Sequence, residues 1–156
     1  CSCFCLCVYL FFKKEMSSSQ SAIADLKVRA DSGDVGACHS LGEKYRVDIE
    51  LRDLKEAARY YKLAAEKQDA EGQFSLGYAF EYGEGVQMKD LRQAVKYYKL
   101  AAAQGHAGAQ CNLAYLHEQG QGTPLDATEA LRLYKLSAAQ RNIYAMNQVQ
   151  IYERVE

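Results

Sequence analysis

The chain has 156 residues, of which 49% are hydrophobic and 25% are charged, a balance typical of globular rather than disordered proteins. Its 19 Lys and Arg against 20 Asp and Glu leave a formal net charge of −1, with both signs interspersed along the sequence. This composition predicts no broad positive field that would gather phosphates, which argues against nucleic acid as a partner and against electrostatic attraction to an anionic membrane.

One short sequence pattern recurs three times, and the rest of the chain is arranged around it. The pattern occupies residues 61–65, 98–102 and 134–138, each time as Tyr-Lys-Leu followed by two small residues. Its copies lie 37 and then 36 residues apart. A fixed period of roughly 20 to 50 residues is typical of a solenoid, in which each unit buries its apolar face against its neighbours. The sequence therefore predicts an all-α stack of helix-turn-helix repeats, an architecture that favours an interaction surface over a reaction centre.

Residues 1–17 form an apolar, cysteine-rich segment that lies outside the repeats. Its apolar run stops at Lys13 and Lys14 and is shorter than the roughly 20 residues that a membrane-spanning helix needs. Three interpretations are open: the end of a signal or anchor segment, read-through upstream of a true start at Met16, and a packed helix. The cysteines of this segment could attract a metal ion, but no His or further Cys completes a site.

The cellular location follows from the cysteines and from the N-terminal segment. Cys38 and Cys111 are the cysteines of the repeats, and two isolated cysteines form no disulfide framework. A reducing compartment, the cytoplasm, is therefore the predicted location. If residues 1–15 are the remnant of an anchor, the adjacent Lys pair would hold the repeats on the cytosolic face of a membrane. The protein would then be a membrane-tethered structural component of a complex.

The array begins with half a unit over residues 18–34, which predicts a second helix alone. Ile23, Leu26 and Ala30 are spaced by three and four as an amphipathic helix requires, and Gly33 ends this helix. Its register is set by one small residue that has a counterpart in each later repeat: Ala22, Ala57, Ala94 and Ala130. Three full repeats are then predicted, followed by the first helix of a partial fourth: residues 35–69, 70–106, 107–142 and 143–156.

Each first helix carries a small residue, a large aliphatic residue, then Gly or Ala, and then usually an aromatic ring, all on one helical face. Gly42, Gly77 and Ala114 hold the Gly or Ala position and would let the paired helix approach closely. Turns with two glycines follow at residues 83–85 and 120–122, where glycine suits the left-handed end of a helix. The first repeat lacks these glycines, so its hairpin should differ locally.

The second helices begin with Asp53, Asp90 and Asp126, each followed three residues later by Glu or Gln. This spacing predicts capping boxes, in which the Asp side chain and the Glu or Gln side chain each accept a backbone N–H. These carboxylates are therefore expected to be structural and not catalytic.

The last helix carries apolar residues that a following helix would ordinarily cover: Ile143, Met146 and Ile151. Two interpretations are open, namely that further repeats follow and that this end docks a partner.

Taken in this order, the pattern resembles the Sel-one-like repeat (SLR), a relative of the tetratricopeptide repeat with a somewhat longer period. The second unit matches the family pattern through Leu76-Gly77, Gly83-Glu84-Gly85-Val86, Asp90, Gln93-Ala94, Tyr97-Tyr98, Ala101-Ala102 and Gly105. The resemblance covers residues 18–155. It implies a right-handed α/α superhelix whose members serve as adaptors or scaffolds in signalling complexes, protein quality control or bacterial interaction with a host.

Enzyme motifs are mostly missing, which predicts a non-catalytic protein that needs no cofactor. The glycine pairs lack the third glycine and the preceding strand of a dinucleotide site. None of His39, His106 and His117 stands three or four residues from a Cys or another His, so no metal site is predicted. His117 takes the place of an aromatic ring and is expected to pack as one. The rival function is a repeat-built enzyme of the cysteine-rich secreted subtype. It is disfavoured because that subtype staples each unit with a disulfide, and each unit here has at most one Cys.

The predicted function is therefore protein binding, by an adaptor or scaffold that presents a concave surface to a protein or peptide partner. The resemblance implies that first helices line the concave side. Several aromatic rings on one surface suit capture of a peptide or a helix, because Tyr offers a large contact area at low entropic cost. The partner-binding residues predicted on this surface are His39, Glu43, Arg46, Phe74, Tyr78, Glu81, Cys111, Tyr115 and Glu118.

Overall fold

The computed structural model describes residues 20–49 and 51–154 of the chain. Over these residues the backbone forms eight helical segments and no strand. The segments are residues 20–31 (α1), Val35–Val47 (α2), Leu54–Glu66 (α3), Ala70–Tyr82 (α4), Leu91–Ala103 (α5), Ala107–Gln119 (α6), Ala127–Ala139 (α7) and Ile143–Glu153 (α8). The predicted all-α superhelix of helix-turn-helix repeats is confirmed.

The predictions made for residues 1–17 lie outside the described residues. Within residues 20–49 and 51–154, no helix combines the length and the apolar character that crossing a lipid bilayer requires. The first helix, α1, contacts the core through one face, with Ala30 buried and with Ile23 and Leu26 packed against the core. Ala22 is exposed, unlike its buried counterparts in the later repeats.

The core is a strip that follows the helices along the stack. Each helix from α2 to α7 packs against the next one along the chain. The tyrosine that opens the recurring pattern is buried in every repeat, as Tyr61, Tyr98 and Tyr134. Alanines beside these rings, such as Ala64 and Ala101, are fully buried. Neighbouring units therefore cover one another's apolar faces, as a solenoid requires.

The first helix of each repeat approaches this tyrosine ring closely. A β-carbon at Gly42 would overlap the ring of Tyr61, and one at Gly77 would lie 2.8 Å from the nearest atoms of the Tyr98 ring. Glycine at these two positions therefore makes room for the ring, as the recurrence of small residues predicted. Ala114 holds the same position in the third repeat and is fully buried.

Aspartates cap the second helices, as predicted. The side chains of Asp53 and Asp90 each accept hydrogen bonds from two backbone N–H groups of the first turn, and Asp126 accepts one. Each cap of this kind is worth about 1 kcal/mol. These carboxylates therefore have the structural role expected of them.

The prediction that the Glu or Gln side chain accepts the backbone N–H of the capping aspartate is wrong. The backbone N–H of Asp53 donates to the carbonyl oxygen of Tyr45 at 2.9 Å, and that of Asp90 donates to Phe80 at 2.9 Å. Glu56, the expected acceptor for Asp53, forms an ion pair with an arginine one turn further on. The cap residue therefore ties the start of the second helix to the end of the first, which fixes the hairpin.

The turns between paired helices differ between repeats, also as predicted. The helices α4 and α6 end at Gly83 and Gly120, with left-handed φ angles of 78° and 62°. The helix α2 instead ends at Asp48 in an extended conformation. A second turn glycine, Gly85, packs so tightly against the Leu54 carbonyl of the preceding repeat that a β-carbon would overlap it. Glycine therefore serves both the turn and the contact between repeats.

The last described helix, α8, joins the stack through one face. Ala145 is buried and Tyr152 packs against the core. The apolar residues singled out on its other face are exposed: Ile143 at 75%, Met146 at 44% and Ile151 at 52%.

Candidate partner-binding surface

The nine residues predicted to bind a partner fall at three equivalent positions on α2, α4 and α6. Counted from the buried leucine of each first helix, they lie two residues before it and two and five residues after it. This spacing follows one helical face, and we call the set the first-helix stripe. Its members are His39, Glu43 and Arg46 on α2, Phe74, Tyr78 and Glu81 on α4, and Cys111, Tyr115 and Glu118 on α6.

A pocket of about 210 Å³ opens at the boundary of the first two repeats. Tyr61 and Ser75 line it together with four members of the stripe, which are Glu43, Arg46, Phe74 and Tyr78. Fold geometry thus brings together predicted residues that lie far apart in the sequence. Pockets for small molecules and cofactors span roughly 300 to 1,000 Å³. The smaller pocket here, with three aromatic rings and a few polar groups, suits one side chain of a bound peptide.

In repeats two and three, the glutamate of the stripe is the hydrogen-bond acceptor of the buried tyrosine. The hydroxyl of Tyr98 donates to Glu81 at 2.6 Å, and that of Tyr134 donates to Glu118 at 3.0 Å. Tyr152 of α8 donates to the other oxygen of Glu118, also at 3.0 Å. Burial raises the pKa of Tyr98 and of Tyr134, and the neighbouring carboxylate adds to this effect. The tyrosines therefore stay neutral donors and hold the carboxylates in fixed orientations.

The first repeat contains the same pair of a buried tyrosine and a glutamate, which we call the Tyr–Glu unit, but its glutamate holds a different position. Arg46 stands at the stripe position that glutamate holds in the other two repeats, and Glu43 supplies the carboxylate from one turn earlier. Tyr61 donates to Glu43 at 2.6 Å, and Arg46 donates two hydrogen bonds to Glu43 at 2.7 and 3.2 Å. Hydrogen bonding from Arg46 lowers the pKa of Glu43. The first repeat therefore carries its own guanidinium on the Tyr–Glu unit.

Aromatic rings continue the stripe from the pocket toward the third repeat. The rings of Tyr78 and Tyr82 pack with their centroids 4.4 Å apart. Tyr82 is 56% exposed and Tyr115 is 38% exposed, so both offer surface to a partner. Phe74 stacks on His106 with a centroid distance of 4.4 Å. Tyr82 is missing from the predicted set, although its position one helical turn after Tyr78 was a signal for it.

Two members of the stripe do not offer their side chains to a partner. Cys111 is 6% exposed and lies in the core, where burial raises the pKa of its thiol to about 11. Glu81 is 8% exposed, and its carboxylate accepts the hydroxyl of Tyr98. We therefore correct the predicted surface by leaving Cys111 out and by treating Glu81 as a support for the tyrosine ring.

His39 and His106 meet at one carboxylate, which their sequence spacing did not predict. Nε2 of His106 lies 3.0 Å from one oxygen of Glu71, and Nε2 of His39 lies 3.8 Å from the other. The Nδ1 of His106 also caps α6 by accepting the backbone N–H of Ala109. His117 is buried, as expected of a residue in an aromatic position. Across residues 20–49 and 51–154, no group of three or more His, Cys, Asp or Glu side chains is arranged to hold a metal ion.

Comparison with protein families finds three matches to one repeat. The Sel1 repeat model matches residues 35–69, 70–106 and 107–142, which contain α2 to α7. These matches cover more than half of the chain. A comparison with curated protein sequences finds no match.

Solved structures of the same repeat type resemble the chain. A Sel1 repeat protein from Oxalobacter formigenes has a TM-score of 0.74 at 35% identity, over 83% of this chain and 97% of that one. The protective antigen c5321 of uropathogenic Escherichia coli, which displays an SLR fold, has a TM-score of 0.72 at 35% identity over 76% of this chain. The match spans 25% of that antigen's length. Helicobacter pylori cysteine rich protein B has a TM-score of 0.63 at 25% identity, over 80% of this chain and 95% of that one.

Proposed function

Because the chain belongs to the Sel1 repeat family, whose members are generally protein-interaction scaffolds, we propose that it is a non-catalytic adaptor. It binds a protein or peptide partner along the first-helix stripe, on the concave side of the stack. The observation that carries this proposal is the pocket between the first two repeats, which four predicted residues line. A preformed pocket on a rigid stack orders few groups on binding, so little free energy is lost on the repeat side.

The pocket and the exposed aromatic rings contact different parts of the bound segment. An aromatic or aliphatic side chain of the partner enters the pocket against Phe74 and Tyr78. The rest of the bound segment lies across Tyr82 and Tyr115, which are both exposed. Tyrosine is among the residues that contribute most to binding when they lie at the centre of an interface. We therefore expect Tyr78 and Tyr115 to dominate the affinity.

Affinity purification from the cells that express the protein tests this proposal. The tagged chain is compared with a Tyr78→Ala/Tyr115→Ala variant and with a Leu100→Ala/Leu136→Ala control. The control removes two side chains of similar exposure, 44% and 43%, from second helices. We expect the first variant to lose partners that the control retains, while the helical circular dichroism of both stays unchanged. Equal recovery of partners by all three chains would contradict the proposal.

We also propose that this adaptor works in the cytoplasm, or on the cytosolic face of a membrane if residues 1–15 are an anchor. The buried free thiols of Cys38 and Cys111 support a reducing compartment. Fractionation of cells that express a tagged chain tests the choice. Recovery entirely in the soluble fraction would remove the membrane-tethered alternative, and recovery in the membrane fraction would support it.

A further inference from the structure

We propose that the bound segment is basic, and that one of its arginines binds Glu118 beside the ring of Tyr115. This inference rests on the proposed function, because it names the chemistry of the partner on the same stripe. Three observations carry it: the separation of charge between helices, the state of Glu118, and an internal arginine in the first repeat.

Charges are unevenly divided between the first helices of repeats two and three, α4 and α6, and the second helix that lies between them. The first helices α4 and α6 contain no Lys or Arg, and their ionised side chains are Glu71, Glu81 and Glu118. The second helix between them, α5, contains no Asp or Glu and carries Arg92, Lys96 and Lys99. Glu81 is buried, so a segment lying along α4 and α6 meets the carboxylates of Glu71 and Glu118, which attract a basic partner and repel an acidic one.

Glu118 is a partly exposed carboxylate of this surface. Its two oxygens accept one hydrogen bond each, from Tyr134 and Tyr152. An ionised carboxylate offers about four acceptor positions, so capacity is left on both oxygens. Glu118 is partly exposed, and no ion pair within residues 20–49 and 51–154 includes it. Its negative charge is therefore oriented by the protein but not neutralised by it.

An exposed aromatic ring lies next to this carboxylate on the same helical face. Tyr115 precedes Glu118 by three residues and is 38% exposed. A cation placed over the face of a tyrosine ring is attracted by the ring's quadrupole, by about 0.5 to 1 kcal/mol at exposed sites. A carboxylate and a ring at this spacing suit a side chain that is both charged and flat.

In the first repeat, an arginine of the chain itself binds the carboxylate of the Tyr–Glu unit. There Arg46 binds Glu43 through two hydrogen bonds, and Glu43 also accepts the hydroxyl of Tyr61. In repeat three the Tyr–Glu unit is kept, but glutamate replaces the arginine at the stripe position. An arginine of the partner would supply to Glu118 what Arg46 supplies to Glu43. Arginine is favoured over lysine because its planar guanidinium binds a carboxylate through two parallel hydrogen bonds.

Titration of the purified full chain with defined peptides tests the inference. Three fluorescent peptides share one length and one Gly, Ser and Tyr background, and carry Arg, Gln or Glu at the same positions. We expect the Arg peptide to bind about tenfold more tightly than the Gln peptide in fluorescence anisotropy, and the Glu peptide to bind most weakly. High salt should weaken binding of the Arg peptide most, because salt screens exposed charges.

Two matched variants locate the contact. Glu118→Gln removes the charge and keeps one carbonyl acceptor, and its amide NH2 can donate to the hydroxyl of the tyrosine that loses its acceptor. We expect it to weaken the Arg peptide about tenfold and to leave the Gln peptide unchanged. Glu129→Gln removes a carboxylate from the second helix α7 and should leave all three peptides unchanged. Unfolding curves of both variants verify that the stack is intact. An equal effect of the two variants on the Arg peptide would overturn the inference.

The outcomes separate this inference from the proposed function. If the Arg and Glu peptides bind equally, and Tyr78→Ala/Tyr115→Ala weakens both, the stripe binds peptides and only the preference for basic segments is wrong. If the Arg peptide binds best and the tyrosine variant does not weaken it, the cation site lies elsewhere and this inference is also wrong. If the tyrosine variant also retains its cellular partners, the proposed function fails as well.

Discussion

Replacing Tyr98 by phenylalanine tests the most buried of the repeated tyrosine–glutamate contacts. The ring of Tyr98 is fully buried, and its hydroxyl donates to Glu81 at 2.6 Å and accepts from Asn112 at 3.1 Å. Phenylalanine keeps the ring, so the variant loses these two hydrogen bonds without emptying the core. A hydrogen bond to a charged group contributes about 1.5 to 3 kcal/mol, and a neutral one contributes about 1 kcal/mol. We expect Tyr98→Phe to lower the free energy of unfolding by about 2 to 4 kcal/mol.

The third repeat provides the matched comparison. Tyr134→Phe removes one donor from Glu118, but Tyr152 still donates to this carboxylate, which is also partly exposed to water. The expected loss is therefore smaller, about 1 kcal/mol. Urea unfolding followed by circular dichroism measures both variants, and an unchanged m-value would show that the exposed surface on unfolding is the same. A midpoint for Tyr98→Phe equal to or above that of Tyr134→Phe would refute the reasoning.

Three further predictions concern a turn, a thiol and an ion pair. Gln68 has a left-handed φ of 64° at the position that Gly105 holds, with a φ of 86°, in the next repeat. Gln68→Gly should therefore stabilise the chain by about 1 kcal/mol, and Gly105→Ala, where the added carbon meets nothing within 4 Å, should destabilise it by a similar amount through strain alone. The thiol of Cys111, with its pKa raised to about 11, should resist alkylation in the folded protein, as mass spectrometry of its tryptic peptide measures. Because the pKa of Glu43 is lowered in the folded protein, its ionised carboxylate contributes stability at any pH above the ordinary pKa of a glutamate. This contribution is lost as the pH falls through the lowered pKa, so Arg46→Gln should lose less stability on acidification than the parent chain.

Each of these predictions has an outcome that would contradict it. For the turn, urea midpoints that fall with Gln68→Gly would show that the left-handed backbone is not the source of strain. For the thiol, alkylation of Cys111 at the rate of an unfolded control would show that the side chain is not buried. For the ion pair, parallel curves of stability against pH for the parent chain and Arg46→Gln would show that Arg46 does not set the pKa of Glu43.

The repeats and their internal contacts could be predicted because each signal is local and occurs in several copies. The capping aspartates Asp53 and Asp90 precede their helices directly, and Gly83 and Gly120 lie where a helix must end in a left-handed residue. Because the same signals recur at equivalent positions, each repeat fixes where the helices of the next repeat begin and end. Such recurrence is typical of solenoids, because each repeat packs against its neighbours through equivalent interfaces.

The pairing of side chains within the candidate surface could not be predicted in the same way. Tyr98 and its acceptor Glu81 lie 17 residues apart on different helices, so only the packing of α4 on α5 shows that they meet. The exchange of roles between Glu43 and Arg46 in the first repeat also has no local signal. The prediction that Cys111 lies on the binding surface is wrong because it follows from the equivalent residues His39 and Phe74, which are larger and reach the surface. A small side chain at that position stays in the core.

Site-specific photo-cross-linking tests most directly whether partners bind the first-helix stripe. A benzophenone side chain is introduced at Tyr115 of α6 in one chain and at Leu136 of α7 in another, two positions of similar exposure on helices of opposite type. Each chain is irradiated together with the partner that affinity purification recovers. We predict a covalent adduct with the partner from position 115 and none from position 136. An adduct from position 136 alone, or equal adducts from both positions, would contradict the assignment of the binding surface.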